Sequence, residues 1–297
     1  MNESSLKFNG HTRDLNIFER FVLSMLKFGK IPNHLAVIMD GNRRYAKFNQ
    51  IPTKEGHRHG SLKLFDLLKW SCALGIEIIT VYAFSLENFK RDQQEVCDLF
   101  DLFLDRLNLV LQKIDECKQN RHVNDKSVLQ GYRVRFCGDQ DRLPAELRYK
   151  IKKLEDNIYS TESIDGSDML LNICICYTST NDIFRGIDKL RRESQSDDNL
   201  ILQKLNLNMV SLLSADFSDI ANPDIILRTG GNARLSEFLV FQSAFSLLSF
   251  IETTWPQLTL FEFLCAILNY QLHYPFIKQA SEIEKVHFRH NELFNPA

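Results

Sequence analysis

Six short apolar runs rich in β-branched and aromatic residues punctuate the chain: "HLAVIM" (34–39), "IEIITVYAF" (76–84), "YRVRFCG" (132–138), "MLLNICICY" (169–177), "DIILRT" (224–229) and "LLSFIET" (247–253). Their length and composition are those of strands. Between them, apolar side chains recur at helical spacing over 56–74, 93–118, 144–159, 180–194 and 259–272. Strand–helix alternation predicts an α/β fold, a mostly parallel central sheet flanked by helices. The polar segments 118–131 and 194–199 read as exposed loops, and no internal repeat or linker divides the chain. The simplest parse is one domain over 31–297, preceded by a helical arm over 1–30.

The arm contains "DLNIFERFVLSMLKFGK" (14–30), with Leu15, Phe18, Val22, Met25 and Leu26 at helical spacing and Asp14 as the expected N-cap. Two readings stay open for this amphipathic segment, a helix docked on the domain and a helix lying on a membrane surface. No uninterrupted apolar stretch reaches the roughly 18 residues of a membrane span. Neither is a signal peptide expected, since the first residues lack its basic start and cleavage site. A net charge of −2 gives no general attraction to nucleic acid, so any anion site must be local. None of the seven cysteines forms a C-x-x-C pair, which points to a reducing compartment without disulfides. Cys174 and Cys176, two apart on a strand, are expected to share one face as core residues.

Three polar clusters each follow a predicted strand, and ligands of open α/β sheets bind at the carboxyl ends of strands. The first is Asp40-Gly41-Asn42-Arg43-Arg44. Gly41 permits a left-handed turn or close backbone approach, a helix starting there offers free N–H groups to anions, and the arginines can clamp phosphate oxygens. Asp40 would repel a phosphate, unless a divalent cation lies between them. Mg²⁺ is commonly held by one or two carboxylates together with substrate phosphates. The second cluster, "FSLENFKR" (84–91), supplies Ser85, Asn88 and Arg91. The third, "RTGGNARLSEF" (228–238), sets Arg228 and Arg234 about a glycine pair with Ser236 following. It is not a Walker P-loop, because G-K-[ST] is missing. His57 in "GHRHG" (56–60) reads either as a helix-entry structural residue or as a hydrogen-bond donor to phosphate.

Taken together, "HLAVIMDGNRRYAK", "GHRHG", "VYAFSLENFKR" with Glu95, "LNICICYTS" and "PDIILRTGGNARLSEFLVFQ…WP" resemble the cis-prenyltransferases, collinearly from about residue 31 to 275. Within that family, the double arginine, the "ENFKR" form and the "IFERF" of the arm are most similar to the eukaryotic dehydrodolichyl diphosphate synthase branch. The resemblance implies an enzyme that condenses isopentenyl diphosphate onto an allylic diphosphate such as farnesyl diphosphate, building a long-chain polyprenyl diphosphate for dolichol synthesis and protein glycosylation. It implies that Asp40 binds Mg²⁺ and that Gly41, Asn42, Arg43 and Arg44 cradle the allylic diphosphate. Arg228, Arg234 and Ser236 would hold isopentenyl diphosphate, with His57, Ser85, Asn88 and Arg91 around the reacting ends. Glu95 matches a family acid, either structural or an orienter of arginines. The growing product needs an apolar tunnel, for which Leu62, Phe65, Leu68, Leu99, Phe100, Phe103 and Leu107 are the candidates. By the same resemblance, the expected place is the cytoplasmic face of the endoplasmic reticulum membrane, held peripherally.

Two departures qualify the match. Nineteen residues past Arg228, where single-subunit bacterial members carry a metal-binding glutamate, this chain has Leu247. Those members also end in an R-x-G segment, which "HFRHNELFNPA" (287–297) does not contain. Both features are shared with eukaryotic catalytic subunits that work beside a Nogo-B-receptor-like accessory subunit, so a heteromer with low activity of the isolated chain is expected. A non-catalytic scaffold of the same fold would lack the D-G-N-R-R and paired-arginine constellation, which is intact here.

Overall fold

Strand β1 (His34–Ile38) lies inside the sheet and is buried at every position. Around it pair β2 (Ile78–Ser85), β3 (Tyr132–Cys137), β4 (Met169–Tyr177), β5 (Ile225–Arg228) and β6 (Leu247–Phe250), in the order β3-β4-β2-β1-β5-β6. Every pairing is parallel. This is a computed structural model, and it describes residues 15–119, 132–159, 169–194 and 214–294. The predicted loops at 118–131 and 194–199 lie outside those residues, except positions 118, 119 and 194, which end helices.

Parallel strands need crossover connections, and helices on both faces then bury both sides of the sheet. The alternation is visible along β1, where Leu35 and Val37 join the larger core while Ala36 and Ile38 join the smaller core opposite. The larger core is covered by α3 (Thr53–Leu74), α4 (Gln93–Gln119), α5 (Ala145–Tyr159) and α7 (Leu260–Phe294). The smaller one is closed by Tyr177, Phe217, Phe238 and Leu239. Helix α6 (Ser179–Ser194) follows β4 directly. Because β2 lies on one side of β1 and β5 on the other, the chain reverses its winding direction between β1 and β5. In open α/β sheets this reversal opens a crevice beyond the strand ends.

The cysteine expectation fails at one residue. Cys174 packs in the smaller core, but Cys176 packs in the larger one. The strict two-residue alternation breaks because Cys176 takes a left-handed φ of 51°, next to the register shifts between β4 and the end of β2. Helix α7 outruns the predicted 259–272 and continues through Pro275 to Phe294. Past residue 277 the apolar spacing thins, but "KQASEIEK" is made of good helix formers.

The arm helix α1 (Ile17–Leu26) starts later than expected. Its N-cap is Asn16, in a reciprocal capping box with Glu19, whereas Asp14 lies outside the described residues. Leu23 and Leu26 enter the larger core, with Leu15 and Val22 packed alongside. Gln271 of α7 donates to the Leu26 carbonyl at 2.8 Å. This rotation leaves Phe18 and Met25, expected on the docked stripe, facing solvent at 74% and 54% exposure with Ile17, Phe21 and Phe28. No described helix is long and apolar enough to cross a membrane.

A buried polar chain crosses the sheet near the strand starts. Asn172 donates to Thr80 Oγ1 at 3.0 Å, Thr80 Oγ1 lies 2.7 Å from His34 Nε2, and His34 Nδ1 lies 2.5 Å from the Ala221 carbonyl. One tautomer satisfies all three contacts, with Nδ1–H donating to Ala221 and Nε2 accepting from Thr80. Asp224, just before β5, accepts from the Asn33 and His34 amides and from the Tyr270 hydroxyl. Burial drives the His34 pKa down to about 4, despite the Ala221 carbonyl and the Asp224 charge.

An imidazole whose folded pKa lies below its unfolded value contributes its full stability above about pH 6.5 and loses it as the pH falls toward 4. Thermal unfolding should therefore show a falling Tm across that window. His34→Leu should reduce the slope while lowering stability by about 2 kcal/mol at neutral pH, because Thr80 and Asn172 lose a partner.

Candidate active site

The β1–β5 register pairs Ile38 with Arg228. Asp40, two residues beyond Ile38, therefore sits over the end of β5. Gly41 takes a φ of 107°, which turns the chain into α2 (Asn42–Phe48), a conformation L side chains adopt only under strain. The Thr229 hydroxyl and the Trp255 amide both hold the Asp40 carbonyl. A side chain at Gly230 would meet Arg44 Nη2 at 2.5 Å and the Asp40 carbonyl carbon at 3.1 Å. The "RTGG" glycine is thus what lets the third loop lie against the first.

The Asp40 carboxylate is the focus of this crevice. One oxygen accepts from the Gly41 amide at 2.7 Å. The other accepts from Arg228 Nη2 at 2.8 Å and Asn232 Nδ2 at 2.9 Å, with Arg44 Nη2 at 3.4 Å. Burial alone would raise its pKa, but the hydrogen bonds from Arg228 and Asn232 and the nearby guanidinium charges hold it below the usual carboxylate value. The group is thus ionised at neutral pH. Arg228 is only 3% exposed. It also donates to the Arg234 carbonyl and, at 2.8 Å, to Ser236 Oγ. Its Nε is buried without a partner, as is Asn42 Oδ1.

A second cluster is organised by Glu95 at the start of α4. Arg91 donates to it at 2.9 Å, His57 Nε2 lies 3.7 Å away, and Arg43 lies 3.8 Å from its other oxygen. The His57 contact is too long for a hydrogen bond. Burial first, and then the Arg91 charge, push the His57 pKa down to about 4, against the pull of Glu95. His57 is neutral at pH 7, and its buried Nε2 has no hydrogen-bond partner. The first two clusters meet through α2: Arg44 turns to Asp40, and Arg43 to Glu95. Both arginine side chains are at least half exposed and make only long contacts, so their donors stay open to an anion. A cavity of about 260 Å³ opens beside Glu95 and His57, lined also by Thr53, Lys54, Asp92, Gln94, Asp98 and Leu99.

Ser85 and Asn88 form a reciprocal capping box on the short turn after β2, and Ser85 N donates to Asn88 Oδ1 at 3.0 Å. Both therefore have structural tasks at the rim of the crevice. Arg234 and Ser236 stand in a loop where Ser236, Glu237 and Leu239 all take left-handed φ values of 47–58°. Such residues cost of order 1–3 kcal/mol each. Of the tunnel candidates, Leu68, Leu99, Phe100 and Leu107 lie in the larger core and Phe65 and Phe103 pack against it. Leu62, about 120° around α3 from Leu68, is 44% exposed. Leu247 packs against the larger core. No group of three His, Cys, Asp or Glu side chains able to hold a metal is gathered among the described residues.

Sequence reasoning passed over Asn232 and Thr229, which grip Asp40, and the Tyr82 and Ser179 contacts to the 234–240 loop. Asn232 directly follows the glycine pair, a signal that could have been used. The other three read as ordinary strand or helix-start residues.

The family described as putative undecaprenyl diphosphate synthase matches residues 38–274. The chain belongs to the cis-prenyltransferase family. Relatives include the mouse dehydrodolichyl diphosphate synthase complex subunit, 34% identical over 271 residues that cover 91% of this chain and 76% of the relative. A tritrans,polycis-undecaprenyl-diphosphate synthase (geranylgeranyl-diphosphate specific) of Picrophilus torridus is 38% identical, covering 86% of this chain and 93% of the relative. The crystal structure of lavandulyl diphosphate synthase from Lavandula x intermedia, in complex with dimethylallyl diphosphate, superposes with a TM-score of 0.66 at 25% identity. It covers 81% of this chain and 95% of that one. This prenyltransferase is accordingly a transferase of prenyl groups, and its six-stranded parallel sheet is that of its structural neighbours.

Arg228→Ala should leave the half-buried Asp40 carboxylate without its main partner. Unfolding in urea is expected to show a loss of about 2–4 kcal/mol, and calorimetry a loss of inorganic pyrophosphate binding.

Proposed function

We propose that this enzyme condenses isopentenyl diphosphate onto farnesyl diphosphate, repeatedly and with cis geometry, to give a long-chain polyprenyl (dehydrodolichyl) diphosphate for dolichol synthesis and protein glycosylation. The observation that carries the reading is the convergence of the "DGNRR" and "RTGGNARLS" loops on one ionised carboxylate, with arginines from both sides. In each cycle a carbon–carbon bond forms, pyrophosphate leaves the allylic partner and a proton leaves the isopentenyl unit.

Gly41, Asn42, Arg43 and Arg44 cradle the allylic diphosphate, with the half-exposed arginines supplying charged donors. Arg228, Arg234 and Ser236 hold isopentenyl diphosphate. His57 and Arg91, fixed about Glu95, face the reacting ends with Ser85 and Asn88. The donor set fits a magnesium ion shared with substrate, since Asp40 is ionised and such ions are commonly held by one or two carboxylates together with substrate phosphates. When bound, such an ion neutralises diphosphate charge and eases departure of pyrophosphate. Asp40 would hold the ion, while Arg228 and Asn232 fix the orientation of its carboxylate. The product grows between α3 and α4, past Phe65, Leu68, Leu99, Phe100, Phe103 and Leu107. Each buried CH₂ contributes about 0.8 kcal/mol there.

The enzyme works in a heteromer with a Nogo-B-receptor-like accessory subunit, peripherally on the cytoplasmic face of the endoplasmic reticulum. In support, Leu247 stands where a second carboxylate is expected, and several relatives are named as complex subunits. The outer face of α7 leaves Phe261, Leu268, Leu272 and Phe276 uncovered. The uncovered apolar side of α1, with Arg20, Lys27 and Lys30 nearby, suits a lipid surface.

Two outcomes are expected. Asp40→Ala, assayed with the accessory subunit, should lower polyprenyl synthesis at least ~100-fold, and unchanged synthesis would rule out its metal role. The chain purified alone should make little long-chain product by product chain-length analysis, and robust synthesis without any partner would remove the heteromer from the proposal.

A further inference from the structure

The loop that carries Arg234 and Ser236 has no glycine at its left-handed positions. Ser236, Glu237 and Leu239 are all L residues with φ of 51°, 58° and 47°. Left to itself, such a segment relaxes toward negative φ, and the direction of both side chains goes with it. Something outside the loop must hold it.

Two residues do so from β2 and the start of α6, and neither belongs to the substrate clusters. Ser179 is buried at 3% exposure. Its amide donates to the Glu237 carbonyl at 2.8 Å and its hydroxyl donates to the same carbonyl at 3.0 Å. The same hydroxyl oxygen accepts from the Val240 amide at 2.9 Å. One Oγ thus clips both ends of the strained stretch, as donor on one side and acceptor on the other. A hydroxyl is the small side-chain group able to do both. Tyr82 holds the preceding residue. Its hydroxyl lies 3.3 Å from the Ser236 carbonyl and 3.0 Å from the Tyr177 carbonyl. Its ring stacks on Phe238 at 4.6 Å between centroids and 15° between planes. Inside the site, Arg228 holds the loop from the other direction, through the Arg234 carbonyl and Ser236 Oγ.

We infer that Ser179, assisted by Tyr82, is a positioning residue for the isopentenyl diphosphate half of the site, holding the 234–240 loop in its left-handed form so that Arg234 and Ser236 face the diphosphate. The inference rests on the proposed assignment of Arg228, Arg234 and Ser236 to that substrate. Neither Ser179 nor Tyr82 touches the reacting atoms. The effect of Ser179 is selective, because its hydroxyl bonds to the 234–240 loop and to neither the "DGNRR" loop nor the Glu95 cluster.

The test is calorimetric binding of isopentenyl diphosphate and of farnesyl diphosphate, separately, to the full chain and to Ser179→Ala, Ser179→Thr and Tyr82→Phe. Ser179→Ala should weaken isopentenyl diphosphate at least tenfold and leave farnesyl diphosphate within twofold. Ser179→Thr, which keeps the hydroxyl, should restore most of the loss. Tyr82→Phe, which keeps the stacked ring, should weaken the same ligand by a smaller factor and covers the case in which Ser179→Ala does not fold. Hydrogen exchange at the Val240 amide should quicken in Ser179→Ala. Equal weakening of both ligands, or unchanged isopentenyl diphosphate binding in both Ser179→Ala and Tyr82→Phe, overturns the inference. Failure of the wild-type chain to bind isopentenyl diphosphate removes the substrate assignment, and the inference with it.

Discussion

The contact between Arg228 and Asp40 organises the rest of this molecule. A guanidinium with 3% exposure must be paired, and the carboxylate that pairs with it at the strand ends is carried by the loop after β1. That loop arrives there because β1 and β5 are neighbours in register, with Ile38 opposite Arg228. The register in turn is held at the other end of the same strands, where Asp224 takes the amides of Asn33 and His34. A polar clamp at the strand starts and an ion pair at the strand ends therefore fix the two central strands lengthwise. The packed faces of β1 and β5 between them fix the strands sideways.

Chemistry is divided along the same axis. The His34–Thr80–Asn172 chain is buried and neutral, so it resists acid only down to the window set by its imidazole. The opposite end is open and carries unmatched donors: Arg228 Nε and the half-exposed Arg43 and Arg44. Glu95 holds one group of cations and Asp40 the other. Each acid keeps its arginines apart from one another and oriented before any anion arrives, which is the form of preorganisation that electrostatic catalysis needs.

Much of the framework could be read from sequence because it rests on local patterns. The apolar runs became strands since parallel strands buried on both faces need continuous apolar residues. The D-G-N-R-R and R-T-G-G loops stood out because glycine and charge rarely adjoin a core strand without a reason. What escaped reading depended on three-dimensional detail. Cys176 changed face because one left-handed residue breaks the period of two. Phe18 and Met25 turned outward because Leu23 and Leu26 won the core, a competition between equally apolar faces of α1. Leu62 shares a helix with Leu68 but lies about 120° around it, at a more exposed position. Thr229 and Ser179 act through backbone groups far away in sequence, and Asn232 through a carboxylate equally distant, contacts that no spacing rule reports.

Helix α2 links two acids through two consecutive arginines, Arg43 toward Glu95 and Arg44 toward Asp40. An α-helix turns about 100° per residue. A single inserted or deleted residue between Asp40 and Arg43 would therefore swing the pair around the axis and break both assignments together. The turn after β1 is closed to any change of length, and divergence at this site can proceed only by substitution.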